Sequence, residues 1–282
     1  MEPERGNMET SLAMRLIDEI AEHAPVQIVP FFRGETLLHP DWQKIIAYMK
    51  HKNVGQIQFT TNATLLTKEA TAGILDLDLD FISFSMDTTD PQLYNKTRRG
   101  ADYSTCLNNV LSFIEERNRR GSSLLVQVSA VETERHKPLM DAFVNYWRER
   151  TDRVRVYAEH STDGKPGSID APLPTFDKRK PCRKLFSDMV VYWNGEIAVC
   201  NHDWTRLVTG PHIGSAKTSG LAACWLSPAY AELRRRHLEG DFSGTSVCEG
   251  CDHWKMYYLG NGFLGRAYEN TARKHADTPG HG

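Results

Sequence analysis

Four cysteines in the C-terminal third of this chain constrain its fold more than any other feature of the sequence. Cys182 is followed by Gly195 after twelve intervening residues and by Cys200 after four more, and Cys248 and Cys251 form a C-x2-C pair. A C-x2-C turn presents two thiolates to one site, and two thiolates from elsewhere complete a four-ligand set. The spacing alone fits both a zinc ion and an iron–sulfur cluster. The sequence therefore predicts a metal or iron–sulfur site in this part of the chain.

The composition excludes several other classes of protein. The 282 residues carry a formal net charge of -2, so neither sign dominates and there is no electrostatic footprint for nucleic acid. No apolar run approaches the roughly twenty residues that span a bilayer, and the acidic start does not resemble a signal peptide. Six cysteines in such a chain are expected to be reduced, buried or metal-bound rather than paired as disulfides. We therefore predict a cytoplasmic protein that binds neither nucleic acid nor a membrane.

Patterns typical of helices alternate with patterns typical of strands through the first 158 residues. The predicted helices span 10–23, 41–52, 67–75, 103–120 and 136–150, and the predicted strands span 26–32, 56–60, 80–86, 123–131 and 153–158. This alternation implies right-handed βαβ units and a parallel sheet, so the predicted fold class is α/β. The stretch 161–181, rich in Gly, Pro and Ser, is typical of a linker, and we expect the first domain to end near residue 175.

A β-hairpin is predicted beyond this linker. Segments 188–193 and 196–200 flank Asn194-Gly195, a pair that favours a type I′ turn because both central positions need positive φ. With a two-residue loop, Met189 lies opposite Cys200. A helix over 228–238 follows, and the polar tail 272–282 is expected to be disordered.

Short polar residues follow three of the predicted strands. Gly34 and Glu35 come after the first, Asn62 after the second, and Ser85 and Asp87 close the third. Each residue taken singly is an ordinary turn residue. In parallel sheets, however, ligands bind at the carboxyl ends of the strands, where all of these residues are predicted to lie. Their order and placement favour a ligand site at that edge of the sheet.

These segments and the cysteines together resemble radical S-adenosylmethionine (SAM) enzymes that carry a C-terminal SPASM or Twitch domain. The resemblance rests on the strings FRGETLLHP (32–40), TTNATLL (60–66) and SFSMD (83–87), and on the cysteine spacing. It implies an incomplete (βα)6-type partial barrel over 1–175 and a small SPASM/Twitch domain with a β-hairpin and a helix over 176–267. A disordered tail over 268–282 would follow.

The resemblance also implies roles for individual residues. Gly34 and Glu35 match the segment that binds the amino group of the SAM methionine, although Arg33 replaces a glycine of the family pattern and Thr36 a frequent proline. The ribose and carboxylate side of SAM would be held by Asn62, Ser85, Asp87 and Arg98. One auxiliary [4Fe-4S] cluster would be ligated by Cys182, Cys200, Cys248 and Cys251. One cluster is the most expected, as in Twitch, because no cysteine follows Cys251.

The C-x3-C-x2-C triplet that holds the SAM-cleaving cluster of this family is absent from the sequence. The segment Glu4-Arg5-Gly6-Asn7-Met8 is similar to one that follows the triplet in family members. Two explanations stay open: an N-terminally truncated radical SAM enzyme, which we favour, and a degenerate relative that retains the scaffold. In either case the polypeptide as printed is not expected to cleave SAM reductively.

Two functional hypotheses follow. The first is an iron–sulfur protein whose parent enzyme performs a radical modification or dehydrogenation of a peptide or sugar-like small molecule, with a reductant protein or a separate N-terminal fragment as further partners. The second is a non-catalytic, zinc-stapled binding module on a degenerate scaffold. Four histidines are interpreted as surface or capping residues, namely His39, His160, His202 and His253.

Overall fold

The computed structural model of the chain describes residues 6–31, 34–159, 175–203, 213–243, 246–259 and 265–270. The predicted tail 272–282 and most of the predicted linker lie outside these ranges. The described helices are α1 (Thr10–Ala21), α2 (Trp42–His51), α3 (Lys68–Asp76), α4 (Pro91–Thr97), α5 (Tyr103–Arg119), α6 (Met140–Arg148), α7 (Lys184–Ser187), α8 (Ala216–Ser219), α9 (Leu221–Trp225), α10 (Pro228–Glu239) and α11 (Ser246–Gly250). None of them has the length and apolar character needed to cross a membrane.

The described strands form two sheets. They are β1 (Gln58–Thr61), β2 (Phe81–Ser85), β3 (Leu125–Glu132), β4 (Arg153–Ala158), β5 (Val190–Val191), β6 (Ile197–Ala198) and β7 (Arg266–Glu269). Strands β1 to β4 are parallel neighbours, and β7 joins β4 antiparallel. The predicted α/β class with a parallel sheet is therefore confirmed.

Local sequence explains several of the helix boundaries. Helices α3, α4 and α5 each begin after a side chain that accepts a hydrogen bond from a backbone N–H of the first turn: Thr67, Asp90 and Asp102. The predicted strand 26–32 is wrong in extent. Among its described residues, Ile28 makes an isolated parallel bridge with Ile57, and Val26 donates to the Val54 carbonyl at 2.7 Å, but no continuous strand forms. The predicted helix 136–150 starts instead as a short 3-10 turn over Lys137–Leu139 before α6.

The chain divides into two compact units. The second of them comprises Gln27–Ala47, Gln56–Ala158 and Leu264–Gly282, and it contains the five-stranded sheet. One face of that sheet is apolar: the ring of buried Phe84 on β2 meets that of Phe113 on α5 at 5.1 Å between centroids. The opposite face is polar, where Gln127 donates a 2.8 Å hydrogen bond to Ser83 and accepts one of 2.6 Å from Arg153. Thr61 of β1 is in register with Phe84, so the separation between an apolar and a polar face is not complete.

The first unit comprises Met1–Val26, Tyr48–Gly55 and Glu159–Phe263. Its apolar core combines Leu12 and Leu16 of α1 with side chains that include Leu185, Ile197 and Tyr230. The Glu19 carboxylate of α1 also accepts N–H bonds of 2.7 Å from both Leu221 and Ala222 at the start of α9. Helix α1 thus shares a compact unit with residues beyond 175, while the predicted domain division itself stays a prediction.

The predicted hairpin exists, but its loop differs from the expected one. Val191 pairs with Ile197 and Val190 with Ala198, so the loop has three residues and the register is shifted by one relative to the expected two-residue turn. Among the residues of this loop only Gly195 has positive φ, at 87°. The Asn194 side chain instead accepts a hydrogen bond from the N–H of Glu196 at 3.1 Å. A three-residue loop that ends in a glycine of left-handed conformation connects the two strands without a type I′ turn.

Candidate functional site

The four cysteines predicted as ligands line one cavity of the first unit. The other side chains of its wall are Arg179, Lys184, Leu185, Val199, His202, His237, His253 and Trp254. The four cysteines, which are separated by up to 69 positions in the sequence, are therefore brought together around one space. The two remaining cysteines are buried away from this cavity: Cys106 on α5 and Cys224 on α9.

Different elements position the four thiols. Cys182 lies just before the short helix α7, Cys200 follows the second arm of the hairpin, Cys248 lies in α11 and Cys251 directly after it. The backbone N–H of His202 donates to the Cys200 sulfur at 3.4 Å, and the N–H of His253 donates to the Cys251 sulfur at 3.4 Å. In both cases the donor is the backbone N–H of the residue two positions after the cysteine. Such donors stabilise negative charge on sulfur.

Burial raises the pKa of all four thiols above the usual cysteine value. The pKa of Cys200 is raised to about 11, chiefly by burial and further by the charges of Cys182 and Cys251. In the absence of a cation these groups therefore stay protonated at neutral pH. Metal or cluster binding must displace their protons, because the thiolate is the ligand form.

The spacing of the thiols bears on what they could hold. In the part of the chain that the structure describes, no three His, Cys, Asp or Glu side chains lie at the spacing of one shared metal ion. A tetrahedral zinc site draws its sulfurs to about 2.3 Å from the ion, whereas a four-iron cluster takes each thiolate at a separate iron. Zinc and a cluster are separated by metal content, which chemical analysis measures directly.

Arg179 places a cation beside the thiols, and the sequence pattern did not single it out. Its guanidinium donates to the Glu249 carbonyl at 2.8 Å and to the Cys248 carbonyl, which fixes the backbone of the C-x2-C turn. It also stacks on the Phe242 ring at 3.9 Å. Burial lowers the pKa of Arg179, and the neighbouring cysteine charges oppose that shift. Thiolates at this site therefore have a positive charge close to them.

Histidines contribute more to the cavity than predicted. His202 is buried, so its interpretation as a surface or capping residue is wrong, and its ring lies 4.3 Å from that of half-buried His253 in the same wall. His39 caps locally as predicted, since its Nδ1 accepts the N–H of Asp41 at 3.1 Å. His160 lies outside the described residues. His237 was not considered, although Tyr230, Leu233 and His237 follow the i, i+3, i+7 period of a buried helix face, which was a usable signal.

The strand-end residues of the second unit already contact one another. Gly34 is exposed, and a Cβ added there would meet no atom within 4 Å. The Glu35 carboxylate accepts the N–H of Asn62 at 2.8 Å and that of Leu37 at 3.2 Å. The Asn62 side chain accepts from the backbone N–H of Thr64 at 2.9 Å. These hydrogen bonds hold the backbone of residues 35–37 and of residues 62–64, the latter directly after β1.

Asp87 and Arg98 form a second contact at this edge. Arg98 donates to one Asp87 oxygen through Nε at 2.8 Å and through a terminal nitrogen at 2.7 Å, and the other oxygen accepts the N–H of Val131 at 3.0 Å. Asp87 has a left-handed φ of 58°, and Ser85 lies two residues before it at the end of β2. The structure therefore pairs Glu35 with Asn62, and Asp87 with Arg98. A SAM-binding role for these residues stays a prediction.

Replacing Gly195 with alanine is expected to destabilise the first unit by about 1–3 kcal/mol and to lower metal occupancy. Gly195 has positive φ, and an added Cβ would lie 2.8 Å from the Lys217 Cβ and 3.0 Å from the Lys217 nitrogen. Gly240→Ala is the matched control, because Gly240 has a φ of 78° but open space around it. Denaturant unfolding and metal analysis measure both variants. Equal losses in the two would show that the contact with Lys217 contributes nothing.

Comparison with known families gives two matches. Residues 1–128 match the radical SAM superfamily, and residues 182–252 match the SPASM iron–sulfur cluster-binding domain. The second match contains all four cysteines of the cavity.

Two curated proteins are similar to the chain over different lengths. A tungsten-containing aldehyde ferredoxin oxidoreductase cofactor-modifying protein of Pyrococcus furiosus is 22% identical over 90% of this chain and 83% of its own length. A probable GTP 3',8-cyclase of Methanococcus maripaludis is 37% identical, but the match spans only 29% of this chain and 27% of the cyclase.

Solved structures share the fold. SuiB of Streptococcus suis bound to S-adenosylmethionine superposes with a TM-score of 0.65 at 15% identity, covering 92% of this chain and 69% of SuiB. BtrN in complex with AdoMet and 2-DOIA superposes with a TM-score of 0.56 at 13% identity, covering 88% of this chain and 82% of BtrN. SuiB has also been solved with its precursor peptide SuiA. At these identities the likeness shows the fold alone.

Proposed function

The chain is a radical SAM protein with a C-terminal SPASM iron–sulfur domain, and from this premise we propose that it binds one auxiliary [4Fe-4S] cluster through Cys182, Cys200, Cys248 and Cys251. The observation that carries the proposal is that these four thiols line a single cavity within the segment that matches the cluster-binding domain. When bound, such a cluster supplies one-electron redox chemistry.

The residues around the cavity suit this role. The four cysteines provide one thiolate for each iron of a [4Fe-4S] cluster, and Arg179 offsets part of their negative charge. The N–H groups of His202 and His253 already donate to two of the sulfurs. Cys106 and Cys224 lie outside the wall and are not proposed as ligands.

The test is an anaerobic purification followed by iron, sulfide and zinc analysis and an absorption spectrum. About four irons and four sulfides per chain, with a broad charge-transfer band in the visible region, are expected. Zinc at one equivalent with a featureless visible spectrum would support the zinc-stapled binding module instead and would overturn the cluster proposal. Neither metal above trace level would also contradict it.

No step of SAM cleavage is assigned to residues of this chain. The sequence has no C-x3-C-x2-C triplet, and this polypeptide alone is proposed not to cleave SAM reductively. The proposed SAM contacts are Gly34, Glu35, Asn62, Ser85, Asp87 and Arg98. In the structure Asp87 and Arg98 form an ion pair with each other. They could therefore contact SAM only if this pair opens, or if Arg98 uses the terminal nitrogen that does not bond Asp87.

We propose that the parent reaction is a SAM-dependent radical modification or dehydrogenation of a peptide or a sugar-like small molecule. The similar proteins support a modification reaction, since they include a cofactor-modifying protein and a structure with a precursor peptide. A reductant protein is the proposed protein partner.

Basic side chains near Cys182 support an acidic electron carrier as the reductant. Lys178, Lys180 and Arg183 are exposed although the chain as a whole is slightly acidic. Lys180 and Arg183 both lie over the Tyr258 ring, at 4.7 and 5.2 Å, and the Tyr258 hydroxyl donates to the Pro181 carbonyl at 2.8 Å. This aromatic support holds two cations beside a proposed cluster ligand, where they would attract a partner of opposite charge.

Reversing both charges, as Lys180→Glu with Arg183→Glu, is expected to slow reduction by a small acidic iron–sulfur carrier by about tenfold at low salt. The difference from the unmodified protein should shrink as ionic strength rises, because exposed charges are screened. Lys44→Glu with Lys68→Glu makes the same change in net charge at two exposed lysines of the second unit. Stopped-flow reduction measures both rates, and equal slowing in the two variants would contradict a local docking surface.

A further inference from the structure

A histidine of the cavity wall has a ring nitrogen without a partner in the part of the chain that the structure describes. His237 on α10 is 1% exposed, its Nε2 is buried with no hydrogen-bond partner among the described residues, and the residue lines the cavity together with the four cysteines. A buried donor left without an acceptor is costly to the folded protein. Atoms of this kind therefore point to a group that completes the site.

The other ring nitrogen of His237 fixes which group is needed. The backbone N–H of Cys182 donates to Nδ1 at 3.3 Å, so Nδ1 carries no proton and the ring proton lies on Nε2. Nε2 is thus an N–H donor and requires an acceptor.

Contacts hold the imidazole in this orientation. The Phe242 ring meets that of His237 edge to face, with centroids 4.7 Å apart, and Arg179 stacks on the Phe242 ring in turn. Beside the four sulfurs, the cavity wall contains two cations, Arg179 and Lys184, which have no lone pair to offer. It also contains the apolar Leu185 and Val199 and the rings of His202, His253 and Trp254. Sulfur atoms are the acceptors that a filled site would bring into this space.

We propose that His237 donates an Nε2–H hydrogen bond to a sulfur of the cluster held by the four cysteines, and that this bond raises the cluster's reduction potential. The inference rests on the proposed function and assigns His237 as a positioning and tuning residue rather than a ligand. Hydrogen bonds to the sulfurs are among the factors that set cluster potentials, because they stabilise the additional negative charge of the reduced form. The same side chain anchors the first ligand through the Cys182 amide.

Two substitutions separate the donor role from the anchoring role. His237→Asn keeps a carbonyl near the position of Nδ1, where it can still accept from Cys182, but it has no donor near the position of Nε2. His237→Gln extends an amide N–H to about the position of Nε2. A spectroelectrochemical titration, followed by electron paramagnetic resonance of the reduced protein, gives the reduction potential of each reconstituted protein together with its iron content.

The expected result is a negative shift of the potential in His237→Asn, with iron content retained, and a return toward the unmodified value in His237→Gln. Unchanged potentials in both variants, or the same shift in both, would overturn the inference and leave His237 a structural residue. Absence of iron from the unmodified protein would instead overturn the proposed function, and this inference with it.

A measurement that retains His237 covers the case in which its variants fail to hold iron. Histidine labelled with nitrogen-15 in the ring is incorporated into a protein carrying His202→Asn and His253→Asn, which removes the two other histidines of the wall. Pulsed electron–nuclear double resonance on the reduced protein should then show a weak coupling between the electron spin of the cluster and the nitrogen-15 of the His237 ring. No coupling would show that His237 does not contact the cluster.

Discussion

Cys248→Ala is expected to remove most of the iron from the anaerobically purified protein and to lower its melting temperature. Cys248 lies in the cavity wall with the three other thiols, and their charges act together to raise its pKa beyond what burial alone does. Losing one thiolate leaves one iron of a [4Fe-4S] cluster without its protein ligand and leaves a hollow in the wall. Because binding free energy at such a site also stabilises the fold, the loss of iron and the loss of stability should occur together.

Cys224→Ala is the matched control for this substitution. Cys224 is buried in the same unit but packs in its apolar core with Leu221, Trp225 and Ile213 rather than in the cavity wall. Its replacement is expected to cost about 1 kcal/mol of packing and to leave the iron content unchanged. Iron analysis and thermal unfolding measure both variants. Retention of full iron content by Cys248→Ala would sink the assignment of this ligand set.

The elements that sequence periodicity predicted well are those stabilised by local interactions. Helix α5 was predicted over 103–120 and runs over Tyr103–Arg119, because Asp102 caps its start and its buried positions repeat at helical spacing. Strand β4 was predicted over 153–158 and spans Arg153–Ala158. In both cases the signal lies within the element itself.

The features that were missed depend on contacts distant in sequence. The apolar stripe of α1 predicts an amphipathic helix, but no local signal indicates that Leu12 and Leu16 pack against Leu185 and Ile197. The hairpin register failed for a related reason: Gly195 packs against Lys217, and the Ala216 amide donates to its carbonyl at 2.7 Å. These contacts accompany a three-residue loop in place of the turn that Asn194-Gly195 favours alone.

The proposed ligands of the cavity could be predicted from the sequence, whereas the contacts that the surrounding residues make with them could not. The four cysteines were found from spacing, because few residue types have that chemistry and their separation is distinctive. Arg179 and His237 act through the backbone of ligands that lie 69 and 55 residues away, at Cys248 and Cys182 respectively. Arginine has many other uses on protein surfaces, and the helical period that indicates a buried His237 does not indicate which ligand it contacts. Only the folded structure therefore reveals these two contacts.

Asp152→Ala is expected to cost the second unit about 3–5 kcal/mol of unfolding free energy, the range for breaking a buried ion pair from one side. One Asp152 oxygen accepts the N–H of Val126 at 2.8 Å and pairs with the guanidinium of Arg117, whose side chain is 10% exposed. The substitution therefore removes the ionic partner of a largely buried guanidinium and the acceptor of an amide of β3, in a pair whose carboxylate side is 21% exposed. Denaturant unfolding followed by circular dichroism measures the change.

A surface pair in the same unit provides the comparison that decides whether burial causes this loss. Asp76 pairs with Arg120 at 2.6 Å, but the Asp76 side chain is 70% exposed, so Asp76→Ala should cost no more than about 1 kcal/mol. The double variant Arg117→Met with Asp152→Ala should recover part of the loss, because it removes the uncompensated charge that the single change leaves behind. If Asp152→Ala lowered the free energy of unfolding no more than Asp76→Ala does, burial of the Arg117–Asp152 pair would not be a source of stability for the second unit.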